Sequence, residues 1–214
     1  TEAAIVALLQ ARDGIDPAMA AFAARAAQGH IGRARALARS QAARDRRTEV
    51  LAVPARLRSL GDCLTAAAEL VEAATAEASA TTTELDAKER AALSEALGMT
   101  TRGARPRNAQ AALRELEDQQ KARAKRLQRD ALDRVLTEFT SYHRDVLVLQ
   151  TRATDALLNL EQADAIGRIA AATTASDTVA KLDAILQCRT ALETNVSPLL
   201  ALEALLISLA GPLD

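Results

Sequence analysis

The chain has 214 residues, 49% of them hydrophobic and 1% aromatic, with 27 basic and 28 acidic side chains and a formal net charge of −1. Its two cysteines, Cys63 and Cys188, stand alone without metal-ligand spacing, which excludes a disulfide framework and fits a reducing cytoplasm. No apolar run reaches the roughly 18 residues of a membrane span; the nearest, residues 197–211, is interrupted by Glu203 and Ser208.

The apolar residues are mostly Ala, Leu, Val and Ile, with few Gly or Pro, so the expected fold is all-α with thin, Ala-rich helix contacts. In residues 1–40, Ile5, Leu8 and Leu9 form a helical stripe that "DGID" ends. Asp16 caps a second helix with Pro17 in its first turn, and Met19, Phe22, Ala23 and Ala26 share one face. Gly29 suits a left-handed cap at the end of that helix. A third helix starts near Ile31 and runs on past residue 40.

Pro54 marks a kink or a new start. Leu57, Leu60, Leu64, Ala67, Leu70, Val71 and Ala74 then keep helical spacing, with a soft spot at Thr81–Thr83 and a new cap before Glu84. "GMTTRGARPRN", residues 98–108, reads as a loop. The helix from about Ala109 is charged all round at first and turns apolar from Leu132 to Leu149, so it projects from the core. Residues 84–131 therefore read as an antiparallel hairpin with the loop at its tip. Short helices follow near 155–172. Ser176 or Asp177 caps the next helix, and Ser197 with Pro198 opens the last, which is apolar on most sides and must be covered all round.

Converging catalytic groups are not apparent. His30 lies in a glycine turn and His143 in a helix, neither with a spaced carboxylate or cysteine, and both read as structural or surface residues. "GHIG" offers backbone N–H groups at a helix start beside Arg33 and Arg35, a weak phosphate signal without the strand or lysine of a P-loop. Nine arginines lie between Arg25 and Arg58 against Asp45 and Glu49. On the hairpin, Lys121, Arg123, Lys125, Arg126 and Arg129 either bind nucleic acid or form a solvated face beside Glu115, Glu117 and Asp118; no aromatic residue interleaves them for base stacking.

"AARAAQGHIGRARALA", residues 23–38, resembles the second, lid domain of bacterial clamp-loader subunits, AAA+ proteins that place the sliding clamp on DNA. Their motor subunits carry G-S-x-R-x-A-L, whose Arg contacts nucleotide. Aligned from Gly29, that position falls on Gly32, with Arg33 next, a form similar to the delta-prime branch, which does not hydrolyse ATP. "FTSYHRDVLVLQ" (139–150) resembles a collar helix. The terminal pattern R-x-x-L-x-x-N-x-x-P-x-L-x-L-E-x-L-L is matched by Arg189, Leu192, Asn195, Pro198, Leu200, Leu202, Glu203, Leu205 and Leu206.

The resemblance implies a lid at 1–45, truncated at its N-terminus, and a collar at 46–214 with an insertion at about 76–131. It implies a non-catalytic fragment of the DNA polymerase III holoenzyme, cytoplasmic, holding neither cofactor nor metal, and missing the nucleotide-binding domain. Gly29, Gly32 and Arg33 become a degenerate sensor that no longer binds nucleotide, Arg33 and Arg35 facing solvent or a partner. The implied partners are the gamma/tau motor and delta subunits, met through Arg189, Asn195, Leu199, Leu202 and Leu206. DNA and the sliding clamp are met only through the full complex, and no membrane is involved. Another clamp-loader subunit, gamma/tau or delta, and a helical nucleic-acid-binding module are the alternatives.

Overall fold

A computed structural model describes residues 1–98, 109–194 and 196–211, and among them every regular element is a helix. They are α1 (Glu2–Asp13), α2 (Pro17–Ala27), α3 (Ile31–Arg39), α4 (Gln41–Ala52), α5 (Leu60–Ala96), α6 (Ala109–Thr151), α7 (Ala163–Ala172), α8 (Ala175–Glu193) and α9 (Pro198–Ala210), with a 3₁₀ turn at Leu160–Gln162. The all-α expectation is borne out. Apart from Gly98, the expected 98–108 loop lies outside the described residues.

Local side-chain chemistry sets the helix ends. Asp16 accepts from the Met19 amide at 3.0 Å, as its spacing to Pro17 predicts. At the end of α2 the left-handed cap is Gln28 (φ 49°), and Gly29 (φ 92°) extends the turn, so the positive-φ site is two residues long rather than one. The helix expected to run past residue 40 is cut there. Ser40 adopts an extended backbone, ends α3, and accepts from the Ala43 amide at 3.2 Å to start α4.

Pro54 starts no helix and sits in the turn after α4. Helix α5 opens instead at a reciprocal cap of Ser59 and Asp62. The soft spot at Thr81–Thr83 does not break α5. Thr81 and Thr83 donate to the Glu77 and Ser79 carbonyls at 2.9 and 2.7 Å, which lets threonine stay helical. Thr174, rather than Ser176 or Asp177, caps α8, and Asp177 closes the box from its third position. Ser197 stands at the start of α9 without a side-chain cap hydrogen bond.

Three apolar clusters hold these helices. One, with Ile5, Leu9, Ala23 and Leu37, stays within residues 5–43. The largest joins α5, α6, α8 and α9 around Cys63, Leu136, Phe139, Ile185, Leu202 and Leu206. The third packs Leu51 of α4 against Tyr142 and Val146 of α6 and Ile166 of α7. Beyond the large cluster α5 and α6 continue as an antiparallel hairpin: Glu77 meets Arg134 at 2.6 Å, Thr75 meets Gln128 at 2.7 Å, and Arg90 meets Gln120 at 2.9 Å. Side-chain polarity explains the change along α6. Phe139, Tyr142 and Val146 are fully buried, whereas in the described outer part of the hairpin Gln120 is one of few buried side chains.

Candidate functional site

The glycine-arginine stretch at the start of α3 leads into the protein rather than away from it. His30 caps the helix, its Nδ1 accepting from the Arg33 amide at 3.1 Å, and a Cβ on Gly32 would sit 3.2 Å from the His30 ring. The close approach that Gly32 permits is thus to its own cap residue. Arg33 does not face solvent. It is mostly buried and ion-paired with Glu138 of α6, so that part of the expectation is corrected. Arg35 stays about a third exposed, 32%, and pairs with Asp13 of α1 at 2.7 Å, which also receives Arg39 at 2.8 Å.

Glu138 belongs to a buried polar seam. Arg47 of α4 lies 3.3 Å from its second oxygen, pairs with Glu161, and donates to Asn159 Oδ1 at 2.5 Å. Asn159 Nδ2 donates to Asp145 Oδ2 at 2.9 Å, and Asp145 also accepts from the Leu158 and Asn159 amides at 2.9 and 2.8 Å. Arg47 also stacks over Phe22 of α2 at 5.7 Å. The seam ties α2, α3 and α4 to α6 and the segment before α7. Burial raises the Glu138 carboxyl above its ordinary range, and the charges of Arg33 and Arg47 oppose that rise. Arg47 Nε and Glu138 Oε2 face each other without hydrogen-bond alignment. Beside the seam is a cavity of about 850 Å³ that His30, Gly32, Arg33, Val53 and Leu70 help to line. Sequence reasoning missed Glu138 and Arg47, since no local pattern announces a pair 105 residues apart, as Arg33 and Glu138 are.

The second region is the C-terminal helix pair. Helix α9 packs between α5 and α8, so its apolar sides are largely covered within the chain. Leu202 and Leu206 are 0% exposed in that core and present no free surface, whereas Leu199 is half-buried. Arg189 bonds Asp133 of α6 at 2.7 Å and Thr137 at 3.2 Å. Asn195 lies outside the described residues. The apolar side chains that do reach the surface are neighbours of the expected ones: Leu200 is 61% exposed, Leu186 59% and Ile207 37%, with Leu60 and Leu64 exposed in the first turns of α5. Helical periodicity makes Leu200 and Ile207 one outward stripe of α9. The cysteines are buried, and burial pushes the Cys188 thiol up to about 11.

The hairpin face is divided. Arg123 points inward to Asp86 at 2.5 Å and Glu89 at 2.6 Å, and the Arg123 hydrogen bond holds the Glu89 carboxyl down at about 2. Lys121, Lys125, Arg126 and Arg129 are exposed. His143 is buried and donates Nδ1–H to the Phe139 carbonyl at 2.9 Å, the carbonyl fixing the tautomer. Among the described residues no group of three His, Cys, Asp or Glu could hold a metal ion, and no helix is long and apolar enough to cross a membrane.

Residues 87–211, from the last ten residues of α5 through α9, match the family model described as DNA polymerase III, delta subunit, C terminal. The chain belongs to that family. The delta C-terminal family is a clamp-loader family, which is the family level of the resemblance; the delta-prime branch is not what the match names. No curated protein and no solved structure matches the chain. In this delta C-terminal family member the match takes in α6 and the whole α8–α9 pair, and stops short of α1–α4.

Proposed function

We propose that the chain is the lid and collar of a delta-type clamp-loader subunit, a non-catalytic part of the DNA polymerase III assembly in the cytoplasm. Its collar would join neighbouring subunits into the ring that sets the sliding clamp on DNA. The observation that carries this reading is the family match across α6, α8 and α9 together with the uncovered Leu200–Ile207 stripe of α9. Covering such a stripe yields roughly 25 cal/mol per Å² of apolar surface, and a specific contact of this kind buries about 800 Å² per partner. The separate core within residues 5–43 supports a lid of about 1–45, and the polar seam supports its firm attachment to the remainder, 46–214.

The partners are the motor and other clamp-loader subunits, met through the outward side of α9 and α8 rather than through the core-facing Leu202 and Leu206. The chain mixed with purified gamma/tau motor subunit should form a larger species by light scattering, and Leu200→Asp with Ile207→Asp should abolish it without unfolding the chain. A chain that stays alone well above micromolar concentration, with its fold intact, overturns the proposal.

The Gly29-x-x-Gly32 spacing favours a second reading, the delta-prime position. A competition separates the two. A delta-type chain adds to a motor and delta-prime mixture, whereas a delta-prime-type chain displaces delta-prime from it.

A further inference from the structure

The outer side of the hairpin carries a charge pattern that the helix packing does not use. A helix turns by 100° and rises 1.5 Å per residue, so Arg114, Lys121, Lys125 and Arg129 of α6 fall within a sector of about 80°. Arg126 lies beside them, and all five are exposed. The opposite side, with Gln120, Leu127 and Ala131, is buried or half-buried towards α5.

Three of the acidic groups nearby are committed elsewhere. Asp86 and Glu89 hold Arg123, and Asp133 holds Arg189. Asp118 reaches the stripe, 3.8 Å from Lys121. Glu115, Glu117 and Asp130 flank the stripe without an ion pair to it, and Lys125, Arg126 and Arg129 have no ion-pair partner among the described residues.

We propose that this face docks on the phosphate backbone of duplex DNA without reading its sequence. Lys121 to Arg129 spans about 12 Å of helix, a length along which each DNA strand rises past three or four phosphates, at about 3.4 Å of duplex axis each. Lys and Arg suit phosphate as flexible point and fork donors. No aromatic side chain occurs in α6 before Phe139, so stacking on unpaired bases is not available to this face. Membership of a DNA polymerase III family puts DNA within reach of the chain. The inference stands apart from the collar reading, because it uses the exposed face of the hairpin part of α6 and none of the exposed α8–α9 leucines and isoleucine.

The test is fluorescence anisotropy of the chain with a labelled duplex of about 20 base pairs, titrated with salt. Four phosphate contacts give a slope near −3.6 in log affinity against log salt, about a hundredfold loss between 50 and 200 mM. Lys125→Glu with Arg129→Glu should weaken binding at least tenfold at low salt and remove about two from that slope. Asp118→Asn, which removes the one acidic group paired to the stripe, should tighten binding a few-fold. Circular dichroism checks that each variant keeps its helices. No binding at 50 mM salt overturns the proposal, as does a double charge reversal that leaves affinity and slope unchanged.

Discussion

Arg33, in the first turn of α3, is ion-paired with Glu138 in the middle of α6, and the same carboxylate faces Arg47 of α4 at 3.3 Å. One buried anion therefore serves two cations on two helices. Its loss strands Arg33 and leaves Arg47 with Glu161 and Asn159 alone, whereas loss of Arg33 still leaves Glu138 beside Arg47. Removing one partner of a buried pair costs about 3–5 kcal/mol, mainly because the other charge is left uncompensated. Glu138→Ala should fall in that range by urea unfolding, and Arg33→Ala should cost distinctly less. Equal costs would show that the seam is not organised around Glu138.

His143 makes stability depend on pH. Burial pushes its imidazole down to about 4, and the Lys181 charge adds to the fall, while in the unfolded chain it titrates near 6.5. Above 6.5 the ring is neutral in both states and costs nothing. As pH falls from 6.5 towards 4 the unfolded chain takes up a proton that the folded chain refuses, so stability drops through that window. The drop amounts to about 3 kcal/mol at full extent. His143→Gln should flatten the melting temperature between pH 4 and 6.5. A variant as acid-sensitive as the parent in that window would place the titrating group elsewhere.

Tyr142 is fully buried, its hydroxyl finds no hydrogen-bond partner among the described residues, and burial pushes it up to about 12. A buried hydroxyl without a partner carries its desolvation cost unrepaid, about 1–3 kcal/mol. Tyr142→Phe keeps the ring in the cluster with Leu51, Val146 and Ile166 and should raise stability by about 1 kcal/mol. Chemical denaturation reads this directly, and a loss of stability would reveal a hydroxyl partner such as a buried water.

The hairpin should open before the main core. Its described polar ties include Arg123 to Asp86 and Glu89, and Gln120 to Arg90 and Glu89. Glu89 is held at about 2, chiefly by the Arg123 hydrogen bond, so its contribution is present above the ordinary range near 4.5 and is lost as pH falls towards 2. Arg123→Ala should speed hydrogen exchange within residues 84–98 and 109–127 and leave exchange around Phe139 unchanged. Faster exchange throughout α6 would mean that the hairpin and core unfold together.

The two faces of α9 separate folding from association. Leu206→Ala removes a fully buried side chain from the large core and should cost about 2–5 kcal/mol. Leu200→Asp lies on the exposed stripe and should change stability within about 0.5 kcal/mol. Thermal melts of the two variants check this, and a Leu200→Asp variant as unstable as Leu206→Ala would show that Leu200 is packed inside the chain.

The sequence by itself determined the helices, because composition, 3.6-residue periodicity and capping residues such as Asp16 act within a few neighbours. It also announced the hairpin through the polar-to-apolar drift of α6, and the clamp-loader family through the Arg189–Leu206 pattern. It missed the break at Ser40 because "IGRARALARSQAARDRR" keeps helical composition across it, and a serine cap weighs little until the chain must turn. What only the tertiary structure decided is the direction of the charged and apolar side chains. Arg33 and Arg35 look like solvent-facing arginines until Glu138 and Asp13 arrive beside them. Leu202 and Leu206 look like interface residues until α5 and α8 cover them. Periodicity tells which residues share a face of a helix; only packing against distant segments tells what that face meets, and the pairing of Arg33 with Glu138 spans 105 positions that no local rule connects.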